Sequence, residues 1–189
     1  GIYEFIKWFY PQIRKEAMVV DVRSNGGGNV SQWVLERLDT RLLGTRFGYA
    51  GQYPETSPAT VFHGHLVCLI NETSASDGDI FPYYFRKAGL GPLIGKRTWG
   101  GLVGTLGFPV LMDGGVVTAP NLAIWTEDGG FIVENVGIPP DIEVEQLPAE
   151  VIAGRDPQLE RAIQEILRML EEDPPHTPQR PPYPIRVRR

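Results

Sequence analysis

Two stretches of the chain repeat the same order of an apolar run, a polar loop and a helical pattern. Met18–Val22 and Leu66–Ile70 are short apolar runs of the kind that forms buried strands. Each is followed by a loop rich in small and polar residues. Apolar residues at helical spacing then occur in Val30–Leu43 and in Asp79–Ala88. Strands alternating with helices predict a layered α/β domain and argue against an all-β one.

Helical patterns also occur near both ends. Apolar residues from Ile2 onward predict a helix to about Lys15, with Pro11 as a kink or boundary. Asp156-Pro157 is a typical helix start, because Asp caps the helix and Pro suits its first turn. The apolar face of this helix would comprise Leu159, Ile163, Ile166, Leu167 and Leu170. Residues 173–189 are rich in Pro and predict an extended tail.

The middle of the chain has a different texture. Gly91–Val117 is rich in Gly and in short apolar runs, which predicts short strands and turns. Further strands are expected at Val116–Thr118, Ala123–Thr126 and Phe131–Glu134, with a Gly-rich turn at 128–130.

Composition excludes several classes of function. The 189 residues are 42% hydrophobic, which is enough for a buried core, and the net charge is −5. A net negative charge argues against nucleic acid as the main partner. The chain lacks an apolar run of roughly 20 residues, so no membrane association is expected. We therefore expect a cytoplasmic protein without a cofactor. A metal is not expected either, since Cys68 is the single Cys and His63 and His65 have no third ligand nearby.

The first candidate for chemistry is the loop Asp21-Val-Arg-Ser-Asn-Gly-Gly-Gly-Asn29. Three consecutive glycines between a buried strand and a helix leave backbone N–H groups open to a ligand. The positive end of the helix dipole adds to this, so the loop suits an anion, either a phosphate or an oxyanion. A tight turn that needs positive φ would explain the same residues. Walker and GxGxxG patterns are absent.

The second candidate is the loop Asn71–Asp79, which again joins a strand to a helix. Ser76 at such a junction can present its hydroxyl to solvent beside a free backbone N–H, as in a nucleophile elbow. The alternative is that Ser76 is an ordinary helix N-cap.

Two further segments are weaker candidates for a functional site. The turn Gly95–Gly104 could line a groove or form a hairpin. Glu134 ends an apolar run and needs a hydrogen-bonding partner unless it is exposed.

Taken in chain order, these segments resemble the family of tricorn and C-terminal processing serine peptidases. The matching motifs are Asp-x-Arg-x-Asn-Gly-Gly-Gly, Asn-Glu-x-x-Ala-Ser-Asp-Gly-Asp-Ile-Phe, Gly-x-Arg-Thr-Trp-Gly-Gly and Val-Glu-Asn-x-Gly-x-x-Pro-Asp. The resemblance covers about residues 1–175. It implies a crotonase-like fold, a spiral of ββα units, and a serine endopeptidase that hydrolyses peptides.

The resemblance also implies roles for single residues. Ser76 matches the nucleophile, and the backbone N–H groups of Gly28 and Asp77 match the oxyanion hole. Glu134 matches the carboxylate that supports the catalytic base. Substrate-binding roles fall on Asp77 again and on Gly27, Gly100 and Gly101.

The chain departs from the family pattern at the position of the catalytic base. Gly101 stands where the Ser-Lys branch of the family has its lysine base. In the tricorn branch the base is a His from an upstream domain, and none of His63, His65 and His176 lies in a matching segment. We therefore expect 1–172 to be the catalytic domain of a longer polypeptide, inactive when isolated. Its partners would be its upstream domains and further copies in a homo-oligomer, with a hexamer as one form.

Cleavage specificity follows from the same comparison. In the tricorn branch an acidic pocket favours cleavage after basic residues, and Asp77 matches one of its acidic residues. A second acidic residue, from a neighbouring subunit, aligns loosely with Arg46, which would weaken or alter that preference.

Two alternatives remain open from the sequence. A crotonase-like acyl-CoA enzyme would also use two backbone N–H groups as an oxyanion hole. In a non-catalytic homologue or scaffold, Ser76 would be a helix cap and Glu134 a structural carboxylate.

Overall fold

The sheet consists of four parallel strands with helices on both faces. The computed structural model describes residues 1–47, 54–131, 133–176, 178–182 and 184–187. In chain order the elements are α1 (Ile2–Phe9), β1 (Ala17–Asp21), α2 (Ser31–Leu38), β2 (Gly44–Arg46), β3 (Glu55–Ser57), β4 (His65–Ile70), α3 (Asp77–Lys87), β5 (Leu93–Gly95), β6 (Ile142–Glu143), α4 (Pro148–Ile152) and α5 (Pro157–Glu172). The strand order is β1-β4-β5-β6, and β2 pairs with β3 in a separate antiparallel ribbon. The fold is thus α/β with a mostly parallel sheet.

Strand β4 is buried on both faces and divides the core in two. Leu66, Cys68 and Ile70 face the cluster formed with α1, α2 and α3. Val67 and Leu69 face the opposite side, where they pack with Ala162 and Ile166 of α5. A central parallel strand covered by helices on both sides explains the continuous apolar run.

The two predicted strand–loop–helix units are present, with shifted ends. β1 begins one residue earlier than predicted. Helix α3 begins at Asp77 instead of Asp79, which makes Ser76 its N-cap residue. Helix α2 ends at Leu38, well before the predicted Leu43, because the chain turns there toward β2. Helix α1 ends at Phe9 and continues as a single 3₁₀ turn at Tyr10–Gln12, since Pro11 cannot donate to a continuing helix.

Three predicted strands are wrong. Val116–Thr118 and Ala123–Thr126 make no ladder. The described residues between β5 and β6 contain only two isolated bridges, Gly104 with Leu122 and Val110 with Val116. The apolar side chains that suggested strands there are largely exposed, for example Val117. Phe131–Glu134 is not a strand either, because Val136 N–H donates to the Val133 carbonyl and closes a turn; Ile132 lies outside the described residues.

At the C-terminus, α5 begins as expected. The Asp156 carboxylate accepts from Leu159 N–H at 3.0 Å, and Pro157 occupies the first turn. The helix ends at Glu172, and the described residues beyond it form neither helix nor strand. No helix in the described ranges combines the length and apolar character needed to cross a bilayer.

Candidate active site

The carboxyl ends of β1 and β4 bring the two candidate loops together. Ser24 N–H donates to Asn71 Oδ1 at 2.8 Å, and Ala75 N–H donates to the Asn25 carbonyl at 2.8 Å. Helix α3 lies tightly against the same carbonyl, since a Cβ on Gly78 would meet it at 2.1 Å. Adjacent parallel strands end at the same edge of a sheet, where open α/β sheets place their sites.

Ser76 sits at this junction in a strained conformation. Its φ of 56° and ψ of −112° differ from the extended backbone usual at an N-cap. Such a conformation costs about 1–3 kcal/mol in a residue other than Gly and occurs preferentially at functional sites. Among the described residues, the other non-glycine residues with positive φ are Ser24 and Asn135, which lie in the two loops that carry Gly28 and Glu134. The strain is therefore concentrated around one site.

The glycine loop lies directly against Ser76. A Cβ built on Gly27 would be 3.1 Å from Ser76 Cβ and 3.4 Å from its Oγ. Gly27 also has a φ of +125°, which side chains rarely tolerate. Only a glycine fits here without moving the loop or the serine.

Two backbone donors border Ser76 without an acceptor. Within the described part of the chain, neither Gly28 N–H nor Asp77 N–H donates a hydrogen bond to a protein group. Asp77 is the first residue of α3, where the N–H has no partner inside the helix. By contrast, Gly27 N–H donates to Asn25 Oδ1 at 3.1 Å. The two amides that the sequence comparison implicated are thus available to an oxyanion.

A pocket of about 590 Å³ opens beside these groups. Gly28, Ser76 and Asp77 form part of its wall together with the N-terminal residues of α2. The remaining wall is mainly apolar and comprises Ile80, Tyr84, Leu102, Val103, Gly104, Thr105, Leu106, Leu122 and Ile124. A concave, mostly apolar pocket with few polar groups at one end is typical of a substrate site.

The Asp77 carboxylate has internal partners. Its Oδ2 accepts from Val30 N–H at 3.1 Å and from Ser31 N–H at 3.2 Å, at the start of α2. Asp77 thereby accepts hydrogen bonds from the N-terminus of the neighbouring helix α2, and the residue is buried.

Glu134 contacts a different segment from Ser76. Its Oε2 accepts from Leu102 N–H and Val103 N–H, both at 2.7 Å, which supplies the hydrogen-bonding partners that a half-buried carboxylate requires. No hydrogen bond to Oε1 occurs among the described residues. Leu102 and Val103 also line the pocket, so Glu134 adjoins the site through its wall.

Gly100 and Gly101 lie behind Ser76, and their backbone groups are already used. Their N–H groups donate to Asp79. The Gly101 carbonyl accepts from Ser76 N–H at 2.9 Å, and the Gly100 carbonyl accepts from Asn135 N–H at 2.7 Å. Neither glycine lines the pocket.

Asp79 is the functional candidate that sequence reasoning missed. It is fully buried and binds three backbone N–H groups, including that of Ser76 at 2.8 Å. The available signal was the spacing Ser76-x-x-Asp79, which marks a capping box but says nothing of the contacts with Gly100 and Gly101.

The three histidines, all described, lie outside the pocket. His65 begins β4, whereas Ser76 follows the opposite end of that strand, and His65 Nε2 lies 2.6 Å from the Asp173 carbonyl. His63 precedes the same end of β4. Nor do the described residues group three or more His, Cys, Asp or Glu side chains that could hold a metal ion. Burial raises the pKa of the Cys68 thiol well above its usual range, so this Cys has no nucleophilic character.

Arg46 also lies away from the pocket. It is on β2, where Arg46 Nε donates to Glu55 Oε2 of β3 at 2.7 Å, and both side chains are exposed. Within this chain Arg46 does not line the pocket beside Ser76.

A strained serine at a strand-to-helix turn, two free amides and an apolar pocket define the kind of site that serine hydrolases use. Comparison with known proteins makes this class more specific. The sequence profile described as peptidase family S41 matches residues 2–144, and the chain belongs to that family.

The relatives narrow the comparison within the family. The chain is 42% identical over 184 residues to the tricorn protease of Thermoplasma acidophilum, covering 96% of this chain and 17% of that protein. It is 44% identical over 167 residues to tricorn protease homolog 1 of Streptomyces coelicolor, covering 88% and 16%. The crystal structure of the tricorn protease superposes with a TM-score of 0.82 at 41% identity over 90% of this chain. The chain thus spans about one sixth of these relatives.

Proposed function

We propose that this chain is the catalytic domain of a tricorn-like serine endopeptidase. Ser76 Oγ attacks the carbonyl carbon of a peptide bond, and the N–H groups of Gly28 and Asp77 stabilise the oxyanion that forms. The observation that carries this proposal is that Ser76 is strained and flanked by two amides without an acceptor among the described residues. Removing one such donor typically lowers kcat by about 10²–10³.

A serine hydroxyl needs a general base, since it is a weak nucleophile at neutral pH. The three histidines of the chain lie outside the Ser76 pocket. We therefore propose that the base is a His supplied by another domain of the polypeptide. Glu134 would orient it through Oε1, because Oε2 is already bound to Leu102 and Val103.

The remaining expectations extend this proposal. Residues 1–172 would form the peptidase domain on a crotonase-like spiral, and 173–189 an extended tail. The protein would act in the cytoplasm as a homo-oligomer, possible forms including a hexamer. Peptides would lie along the apolar wall of the pocket.

The test is Ser76→Ala in the complete gene product. We expect turnover of fluorogenic peptides to fall at least about 1,000-fold, and labelling by a fluorophosphonate to be lost. Ser74→Ala is the matched control. Ser74 lies in the same loop, but its Oγ donates to the Val22 carbonyl at 3.0 Å, so this variant should keep labelling and turnover within about threefold.

Loss of less than about tenfold in Ser76→Ala would reject Ser76 as the nucleophile. Full-length protein that neither labels nor cleaves, although folded, would favour the non-catalytic alternative. A rise in melting temperature with an acyl-CoA, and none with peptide aldehydes, would favour the acyl-CoA alternative.

A further inference from the structure

Asp79 is a buried carboxylate without a part in the reaction proposed above. It is 0% exposed, and a polar group in such a place is tolerated only when it is well hydrogen-bonded. Its Oδ2 accepts from Ser76 N–H at 2.8 Å and from Gly101 N–H at 3.1 Å. Its Oδ1 accepts from Gly100 N–H at 2.8 Å. Asp79 thus joins the loop that carries Ser76 to a segment 21 or more residues away.

The same contacts close a ring around the Ser76 amide. Ser76 N–H donates to Asp79 and also to the Gly101 carbonyl, at 2.9 Å. Gly101 in turn is held by Asp79 through its own N–H. The Ser76 N–H therefore has two acceptors, the Asp79 carboxylate and the Gly101 carbonyl. Asp79 also positions Gly101.

This ring explains how Ser76 keeps an unfavourable backbone conformation. A positive φ in a serine persists only where the surrounding structure over-determines it. An ordinary capping box needs no such strain, because its N-cap residue is extended. The contacts to Gly100 and Gly101 go beyond what capping α3 requires.

We propose that Asp79 is a positioning residue that holds Ser76 in its strained conformation. The inference rests on the proposed role of Ser76 as nucleophile. Asp79 acts through the Ser76 amide and through the segment at Gly100 and Gly101, and it contacts no reacting atom. Its removal lets Ser76 relax, which moves Oγ away from the two free amides.

The test is Asp79→Asn in the complete gene product. The amide has nearly the same shape but places an N–H₂ group where a backbone N–H needs an acceptor. We expect kcat to fall about 100-fold, as for a nucleophile displaced by about 1 Å, and KM to change less than about threefold. A crystal structure of the variant should show Ser76 with negative φ.

Asp141→Asn is the matched control. The Asp141 carboxylate also accepts a backbone N–H, that of Leu93 at 2.7 Å, but at the opposite end of β5 from the Ser76 loop. It is more exposed than Asp79 and also pairs with Arg86 at 2.8 Å. The variant should lose stability and keep kcat within about threefold. This contrast separates positioning of Ser76 from a general loss of stability.

Hydrogen exchange in the unaltered protein gives a readout independent of activity. Ser76 and Gly101 N–H should exchange at least about 100-fold more slowly than Gly28 and Asp77 N–H, which donate to no described group. Equal exchange of the two pairs would overturn the inference. If Asp79→Asn does not fold, Asp79→Ser replaces it, because serine is smaller and keeps one oxygen acceptor. If neither variant folds, the exchange rates in the unaltered protein decide the inference.

The two proposals fail in different ways. Unchanged kcat in Asp79→Asn, with activity abolished in Ser76→Ala, overturns the positioning role alone. Unchanged activity in Ser76→Ala overturns the proposed function and with it the catalytic part of this inference. A negative Ser76 φ in Asp79→Asn would then still show that Asp79 holds the Ser76 backbone in its strained conformation.

Discussion

Asp79 and Glu134 divide four consecutive backbone N–H groups between them. Gly100 and Gly101 donate to Asp79, and the next two residues donate to Glu134 at 2.7 Å each. One carboxylate comes from α3 and the other from a turn far along the chain. The segment between them therefore has fixed positions relative to both Ser76 and the pocket wall, although it has no regular secondary structure of its own.

Glu134→Ala removes one half of this arrangement. Leu102 and Val103 N–H lose their acceptor, so we expect unfolding free energy to fall by about 2 kcal/mol and exchange at these two amides to accelerate. Urea denaturation and amide exchange measure both effects. Glu127→Ala is the control, because Glu127 is exposed and its ion pair within the described part of the chain is with Lys87, so this variant should change stability by less than about 0.5 kcal/mol. Unchanged exchange at Leu102 and Val103 would contradict this reading of Glu134.

Adjacent glycines offer a sharper comparison. Gly27→Ala would place a Cβ 3.1 Å from Ser76 Cβ at a φ of +125°, whereas a Cβ on Gly26 meets nothing within 4 Å. We expect Gly27→Ala to lower kcat/KM at least about 100-fold, since the loop that carries Gly28 must move. Gly26→Ala should stay within about threefold. Peptidase assays on the complete gene product measure both variants. Equal losses of kcat/KM would show that the contact between residue 27 and Ser76 is not the cause of the loss.

Asp77→Asn tests the basic preference that the family resemblance implies. Asp77 Oδ2 is engaged with the first N–H groups of α2, so we expect loss of the charge to weaken that helix N-terminus by about 1 kcal/mol. Cleavage after Arg and after Leu should fall by the same factor, within about threefold. The ratio of kcat/KM for a matched pair of peptides is the measurement. A loss of more than about tenfold confined to the Arg peptide would instead assign Asp77 to substrate recognition.

The central architecture followed from the sequence because β1 and β4 each contain a short apolar run. β4 is almost entirely buried and β1 is partly buried. The loops after them carry the small residues that approach closely at the sheet edge. The family resemblance then placed Gly28, Ser76 and Asp77 together, and the structure brings these three to one pocket.

The antiparallel ribbon was not predictable in the same way. β2 and β3 read Gly-Thr-Arg and Glu-Thr-Ser, three residues each without an apolar pattern. β6 is shorter still, with two residues. Such strands exist because of their tertiary partners, and local pattern carries no signal for them.

The region between β5 and β6 shows the converse. Apolar pairs such as Val116-Val117 suggest strands, but both side chains are more than half exposed.

Asp79 was missed for a related reason. Its sequence context describes a helix cap, while its contact with Gly100 depends on how distant segments meet.

Asp156 gives a prediction for acid stability. Its carboxylate caps α5 and pairs with Arg23, whose Nη2 lies 2.8 Å from Asp156 Oδ2. The hydrogen bond from Arg23 holds the pKa of Asp156 well below its usual range. Because the folded-state pKa is depressed, the pair contributes stability fully above the unfolded pKa of about 3.9, and that contribution is lost as pH falls through the folded value.

Asp156→Asn keeps an oxygen for the cap but removes the charge. We expect it to lower unfolding free energy by about 1–2 kcal/mol at pH 7, because Arg23 donates to both Asp156 oxygens, at 2.8 Å each, whereas Asn offers a single, neutral acceptor. The difference from the unaltered protein should shrink as pH falls below about 4, because Asp156 is protonated there in the unfolded chain, which stabilises the unfolded state of the unaltered protein but not that of the variant. Urea denaturation at pH 7, 5 and 3 measures it, with Asp128→Asn as the exposed control. A difference that stays constant down to pH 3 would mean that the Arg23 pair adds nothing to acid stability, and that Asp156 acts only as the cap of α5.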